Sequence, residues 1–133
     1  MRFLACRSAP MPESLLRELG QVFPGITDIE GYGLSEGGPV TALLPRWGVR
    51  RHGSIGLPLP GIETRLVAGD GVTDLGPGAV GELWVRSSMN AAGYHNLPEV
   101  TARKFTPDGW LRTGDLVRFD EDGFFFVGRA DLV

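Results

Sequence analysis

The chain has 133 residues, enough for one domain, and a folded domain of this size buries roughly 60–70% of the surface its unfolded chain exposes. Apolar residues make up 42%, charged residues 22% and the net charge is −3, with 20 Gly and 10 Pro, which describes a globular, turn-rich chain without the basic stripe that would make nucleic acid its main partner. No stretch is long and apolar enough for a transmembrane segment, and the single cysteine, Cys6, has no intramolecular disulfide partner, so a cytoplasmic setting is expected.

Residues 2–7 are short and apolar and run into Ser8-Ala9-Pro10, the pattern of a strand entering a turn. Pro12 suits a first helical position, where a missing N–H costs nothing, and Leu15, Leu16, Leu19, Val22 and Phe23 form a stripe at helical spacing that Pro24-Gly25 ends. Residues 26–30 read as a second short strand. From Ile62 onward the signals are those of strands at 62–67, 81–86, 111–119 and 124–127. Asp120-Glu121-Asp122-Gly123 reads as a hairpin loop between the last two, and 98–105 as one or two helical turns bounded by Pro98 and Pro107-Asp108-Gly109. The expected fold class is α+β, mainly β. A strand-helix-strand piece over 1–33 precedes a loop and a distorted, β-barrel-like subdomain over 34–128, with 129–133 beyond it.

The chemistry concentrates in Gly31-Tyr32-Gly33-Leu34-Ser35-Glu36-Gly37, directly after a predicted strand. A dinucleotide fingerprint fails here, because Glu36 stands where a small residue must let the helix approach. A serine hydrolase elbow is literally present as Gly33-x-Ser35-x-Gly37, with His52 and His95 downstream, but such an elbow needs a helix after the serine and the sequence supplies Gly37, Gly38 and Pro39. A nucleotide site is a third reading. Tyr32 offers a face for a base, the glycines allow close backbone approach, Ser35 can donate to a phosphate oxygen and Glu36 can hold Mg2+ against phosphates. A plain glycine-rich turn is the fourth.

The same string resembles the most diagnostic motif of the adenylate-forming (AMP-binding) enzymes, the acyl-CoA synthetases or fatty-acid-CoA ligases and their relatives, with Ser35 replacing the commoner threonine. Four further stretches follow that family in order and spacing. They are Gly53-Ser54-Ile55-Gly56-Leu57-Pro58-Leu59-Pro60-Gly61, Gly81-Glu82-Leu83-Trp84-Val85-Arg86, Gly93-Tyr94 with Pro98-Glu99 and Thr101, and Gly109-Trp110-Leu111-Arg112-Thr113-Gly114-Asp115 with Gly128-Arg129-Ala130-Asp131.

The resemblance implies an ATP-dependent acid-thiol ligase that joins a carboxylic acid to AMP and passes the acyl group to coenzyme A. It implies Tyr32 against adenine, Gly31 and Gly33 in the same nucleotide-binding loop, Ser35 on the phosphate that enters the acyl adenylate, and Glu36 as the Mg2+ ligand. Ser35 and Glu36 are then the catalytic pair, acting by charge stabilisation with no side-chain nucleophile. Asp115 would accept hydrogen bonds from the ribose hydroxyls, and Arg129 would reach ribose or phosphate. Gly31, Leu34 and Val40 would border the acyl pocket, Ser8-Ala9-Pro10 would back the adenine, and Asp131 would sit at the hinge to a C-terminal lid. In the stretch that backs adenine, Arg7 and Ser8 occupy places where the family usually has glycines.

The family's enzymes are several times longer, and the chain shows neither their Lys-bearing phosphate loop nor their lid. It is therefore expected to be a fragment, inactive by itself, with self-association through faces that normally pack on other parts. All but one of the 13 basic residues are arginine. The exception, Lys104, is predicted to be a solvated surface residue, and Trp84 and Trp110 to serve packing. The alternative from another class is a non-catalytic nucleotide-binding or interaction module.

Overall fold

The computed structural model describes residues 3–6, 12–25, 27–42, 54–120 and 123–129. Its elements in chain order are β1 (Phe3–Cys6), α1 (Glu13–Val22), β2 (Thr27–Leu34), β3 (Gly38–Ala42), β4 (Ser54–Pro58), β5 (Glu63–Val67), β6 (Val80–Arg86), α2 (Pro98–Lys104), β7 (Leu111–Asp120) and β8 (Gly123–Arg129). Pro12 precedes α1 as the sequence pattern requires, its carbonyl accepting from the N–H groups of Leu15 and Leu16, and Phe23 N–H closes the helix on Leu19 O at 2.8 Å. The apolar stripe of α1 is only partly covered: Leu16 and Leu19 are half-buried, while Val22 is 67% exposed. Among the described residues no helix is long and apolar enough to cross a membrane.

The strands run in the order β1-β2-β3-β4-β8-β7-β6-β5. β1 and β2 pair in parallel, Phe3 opposite Thr27, with α1 as their crossover, and every later pairing is antiparallel. Two strands, β3 and β4, arise where a loop was expected. The mainly β architecture expected from the sequence is formed, and among the described residues the order is open, without a closed barrel, β1 and β5 at its two ends not pairing with each other. Asp120 pairs with Gly123, so the predicted hairpin between β7 and β8 forms.

β6 is buried on both faces, which fixes the core. Leu83 and Val85 turn to one side and pack with Val40, Leu66, Leu111 and Val117. Trp84 turns to the other side and packs with Val67 and Trp110. At about 1.5–3 kcal/mol for each fully buried large apolar side chain, this central strand carries much of the local stability. The two indoles are roofed by arginines: Arg65 lies 5.6 Å from the Trp84 ring and 5.1 Å from Trp110, Arg86 lies 4.6 Å from Trp110, and Arg112 lies 4.7 Å from Trp84. Arg65 and Arg86 are held over the rings by Asp74 and Glu63, at 2.7 and 2.6 Å. The tryptophans are thus packing residues, as their positions in the sequence predicted.

Candidate functional site

The glycine-rich string is a β-hairpin tip. β2 carries Gly31, Tyr32, Gly33 and Leu34 to its end, Ser35-Glu36-Gly37 turns, with Gly37 N–H donating to Leu34 O at 3.2 Å, and β3 returns. The register shifts between Tyr32 and Gly33. Ser35 is exposed at the tip and Glu36 is half-buried beside it. Because a strand and not a helix follows Ser35, the serine hydrolase elbow is not formed.

Asp115 approaches this tip from β7. Its placement is local in origin: Gly114 has φ 78°, a conformation costly for any residue with a Cβ, and its N–H donates to Glu82 Oε1 at 3.0 Å. The other Glu82 oxygen accepts the Trp84 indole N–H at 3.0 Å. Thr113 Oγ1 donates to Leu83 O at 2.6 Å and accepts the Asp115 N–H at 3.1 Å. The Asp115 side chain is then presented from a scaffold of fixed bonds, only 6% exposed, and accepts the Tyr32 hydroxyl proton at Oδ2 over 2.5 Å.

Glu36 has a tyrosine partner of its own. Tyr94 donates its hydroxyl proton to Glu36 Oε1 at 2.6 Å. The carboxylate that accepts this bond, with burial and the same negative charge as lesser causes, pushes the Tyr94 phenol up to about 12. A cavity of about 270 Å³ opens between the two pairs, lined by Leu34, Glu36, Tyr94, Lys104, Leu111 and Asp115 among others.

The structure therefore brings Tyr32, Leu34, Glu36 and Asp115 together. Gly31 and Gly33 lie on the same strand. Val40 is 1% exposed within the core and does not line this cavity. Arg129 ends β8 in register opposite Asp115. Ser8, Ala9, Pro10 and Asp131 lie outside the described residues. Lys104 departs from the prediction of a solvated lysine: it is half-buried at the end of α2 and lines the cavity, because α2 packs against β7. Sequence reasoning assigned no role to Tyr94, Glu82 or Thr113. Each lies in a stretch that carried the resemblance, and that was the only available signal.

Among the described residues no group of three or more His, Cys, Asp or Glu could hold a metal alone. A single carboxylate such as Glu36 fits the way Mg2+ is commonly held, through one or two protein carboxylates with substrate phosphates and water completing the shell.

A family model described as AMP-binding enzyme matches residues 1–95. The chain is 39% identical over 120 residues to the 4-coumarate–CoA ligase-like 6 of Oryza sativa subsp. japonica, covering 90% of this chain and 20% of that protein. It is 40% identical over 116 residues to the medium/long-chain-fatty-acid–acyl-carrier-protein ligase FadD10 of Mycobacterium tuberculosis, covering 80% of this chain and 21% of that one. Among solved structures, the anthranilate CoA ligase AuaEII in complex with anthranoyl-AMP superposes with a TM-score of 0.86 at 30% identity, over 98% of this chain and 24% of the other. The chain thus spans about a fifth to a quarter of the length of each of these relatives.

Proposed function

The chain belongs to the AMP-binding enzyme family, and from that premise we propose that it contributes the nucleotide-gripping part of an acid-activating ligase. In the reaction proposed for the whole protein, a carboxylate attacks the α-phosphate of ATP, the acyl adenylate forms with release of pyrophosphate, and a thiol then takes the acyl group. The thiol is that of coenzyme A or of a carrier protein; relatives named for each acceptor resemble this chain comparably.

Each residue then has a task suited to its chemistry. Tyr32 lies against the adenine. Asp115, acceptor-only when ionised, takes the ribose hydroxyls, and Arg129 reaches the ribose or a phosphate from the neighbouring strand. Ser35 donates to the phosphate that stays with the acyl group. Glu36 holds Mg2+, whose charge offsets that of the phosphates when it is bound. Gly31, Leu34 and Val40 border the acyl group, Leu34 packing against the core cluster that holds Val40. The exposed apolar side chains Leu57, Val80 and Leu97 fit a chain that packs on further parts or on itself.

The observation that carries this reading is the hydrogen bond between Tyr32 of β2 and Asp115 of β7, with Asp115 lining the same cavity as Glu36 of the hairpin turn. Calorimetric titration of the chain with AMP tests it. Saturable binding, weakened roughly ten- to a hundredfold in Asp115→Ala, is expected for the loss of hydrogen bonds to a charged group. No heat at millimolar AMP would overturn the reading in favour of an interaction module with an idle site.

A further inference from the structure

We propose that Tyr94 is a positioning residue, whose hydroxyl holds the Glu36 carboxylate in the orientation that serves the metal ion accompanying a nucleoside triphosphate. This inference rests on the nucleotide reading above and adds to it a residue and a device.

The geometry is a clamp on a single turn. Glu36 is gripped twice from the segment that follows β6: its backbone carbonyl accepts the Ala91 N–H at 2.7 Å, and its carboxylate accepts the Tyr94 hydroxyl at 2.6 Å. Tyr94 is itself fixed on three sides. Its N–H donates to Thr101 Oγ1 at 2.9 Å, its ring meets Phe105 edge-on at 6.0 Å between centroids and 66°, and its neighbour Gly93 lies flush against Thr101. A Cβ on Gly93 would sit 2.5 Å from Thr101 Cγ2, and the φ of 149° there also disfavours a side chain. The short helix α2 thus supplies both Thr101 and, just beyond its end, Phe105.

A carboxylate that must meet a metal ion with its phosphates loses affinity whenever it is free to turn away, and hydrogen-bond partners of ligating carboxylates suppress that freedom. Tyr94 meets this description. Its bond to Glu36 spans 58 positions of sequence and ties the hairpin tip to the segment after β6.

The test is a thermodynamic cycle on ATP binding, read calorimetrically with and without Mg2+, in the parent chain, Tyr94→Phe, Glu36→Gln and the double variant. Tyr94→Phe retains the ring and its packing on Phe105. The expected result is that Mg2+ tightens ATP binding in the parent, that Tyr94→Phe forfeits roughly 10- to 100-fold of metal-linked affinity or the whole of a smaller gain, and that the double variant resembles Glu36→Gln alone, because Tyr94 acts through Glu36. A full Mg2+ gain in Tyr94→Phe, or losses that simply add, would overturn the inference. ATP binding by the parent with no Mg2+ gain would overturn it while leaving the nucleotide site standing, and no ATP binding by the parent would overturn both.

Discussion

Tyr32 and Asp115 stand 83 positions apart in the chain yet share a 2.5 Å hydrogen bond, the phenol donating to a carboxylate that is almost wholly buried. Removing the hydroxyl leaves that carboxylate short of a charge-assisted partner. Tyr32→Phe is expected to cost about 1–3 kcal/mol of folding stability, read as a lowered urea midpoint. Combined with Asp115→Asn, the losses should fall short of additive by about 0.5–3 kcal/mol, and strictly additive losses would show that the pair is not coupled.

Asp115 owes its position to Glu82, which no reading of the sequence singled out. One of its oxygens holds the Gly114 N–H and the other the Trp84 indole. Glu82→Ala strands both donors in a half-buried setting, at about 1–3 kcal/mol, and Gly114→Ala forces a left-handed residue to carry a Cβ, at about 1–2 kcal/mol. Both variants are expected to weaken AMP binding although neither residue is assigned a ligand contact. Unchanged affinity in both would show that the scaffold under Asp115 is not what orients it.

The pH dependence of stability has a visible acid component in the loop between β5 and β6. Asp70 accepts the Thr73 hydroxyl and the N–H groups of Thr73 and Val72, and these bonds, the hydroxyl first, lower its carboxyl to about 2. The folded chain therefore prefers the ionised form more than the unfolded chain does. This contribution is complete above the unfolded carboxyl's value near 4 and is lost as pH falls through about 2. Asp70→Ala should remove that part of the acid limb when thermal midpoints are compared between pH 5 and 2, and an identical acid limb in both proteins would contradict the assignment.

What was legible in the sequence was whatever local pattern determines. The stripe of α1 between two short apolar runs pointed to a strand-helix-strand unit, and the apolar runs between Gly, Pro and Asp clusters pointed to β5, β6, β7 and β8, whereas the strand directions are set by the tertiary pairing. β3 and β4 were not legible. Gly37-Gly38-Pro39 carries turn chemistry, and Ser54-Ile55-Gly56-Leu57-Pro58 places a left-handed glycine and a proline in a strand. They are strands because of distant partners: β3 lies between β2 and β4, Thr41 donates to Ile55 O, and Ser54 pairs with Phe125. The same limit explains Tyr94 and Lys104. Tyr94 reaches Glu36 across 58 positions, and Lys104 lines a cavity completed by Leu34 and Glu36 of the hairpin, so the expectation of a solvated Lys104 missed its partial burial.

The central claim is that the hairpin tip and the start of β7 grip one adenosine monophosphate unit, and backbone amide NMR during AMP titration tests it most directly. The expected result is saturable shift changes concentrated in residues 31–37 and 113–115, with α1 and the β5–β6 loop unmoved. Saturable changes centred anywhere else, or none at all, would contradict it.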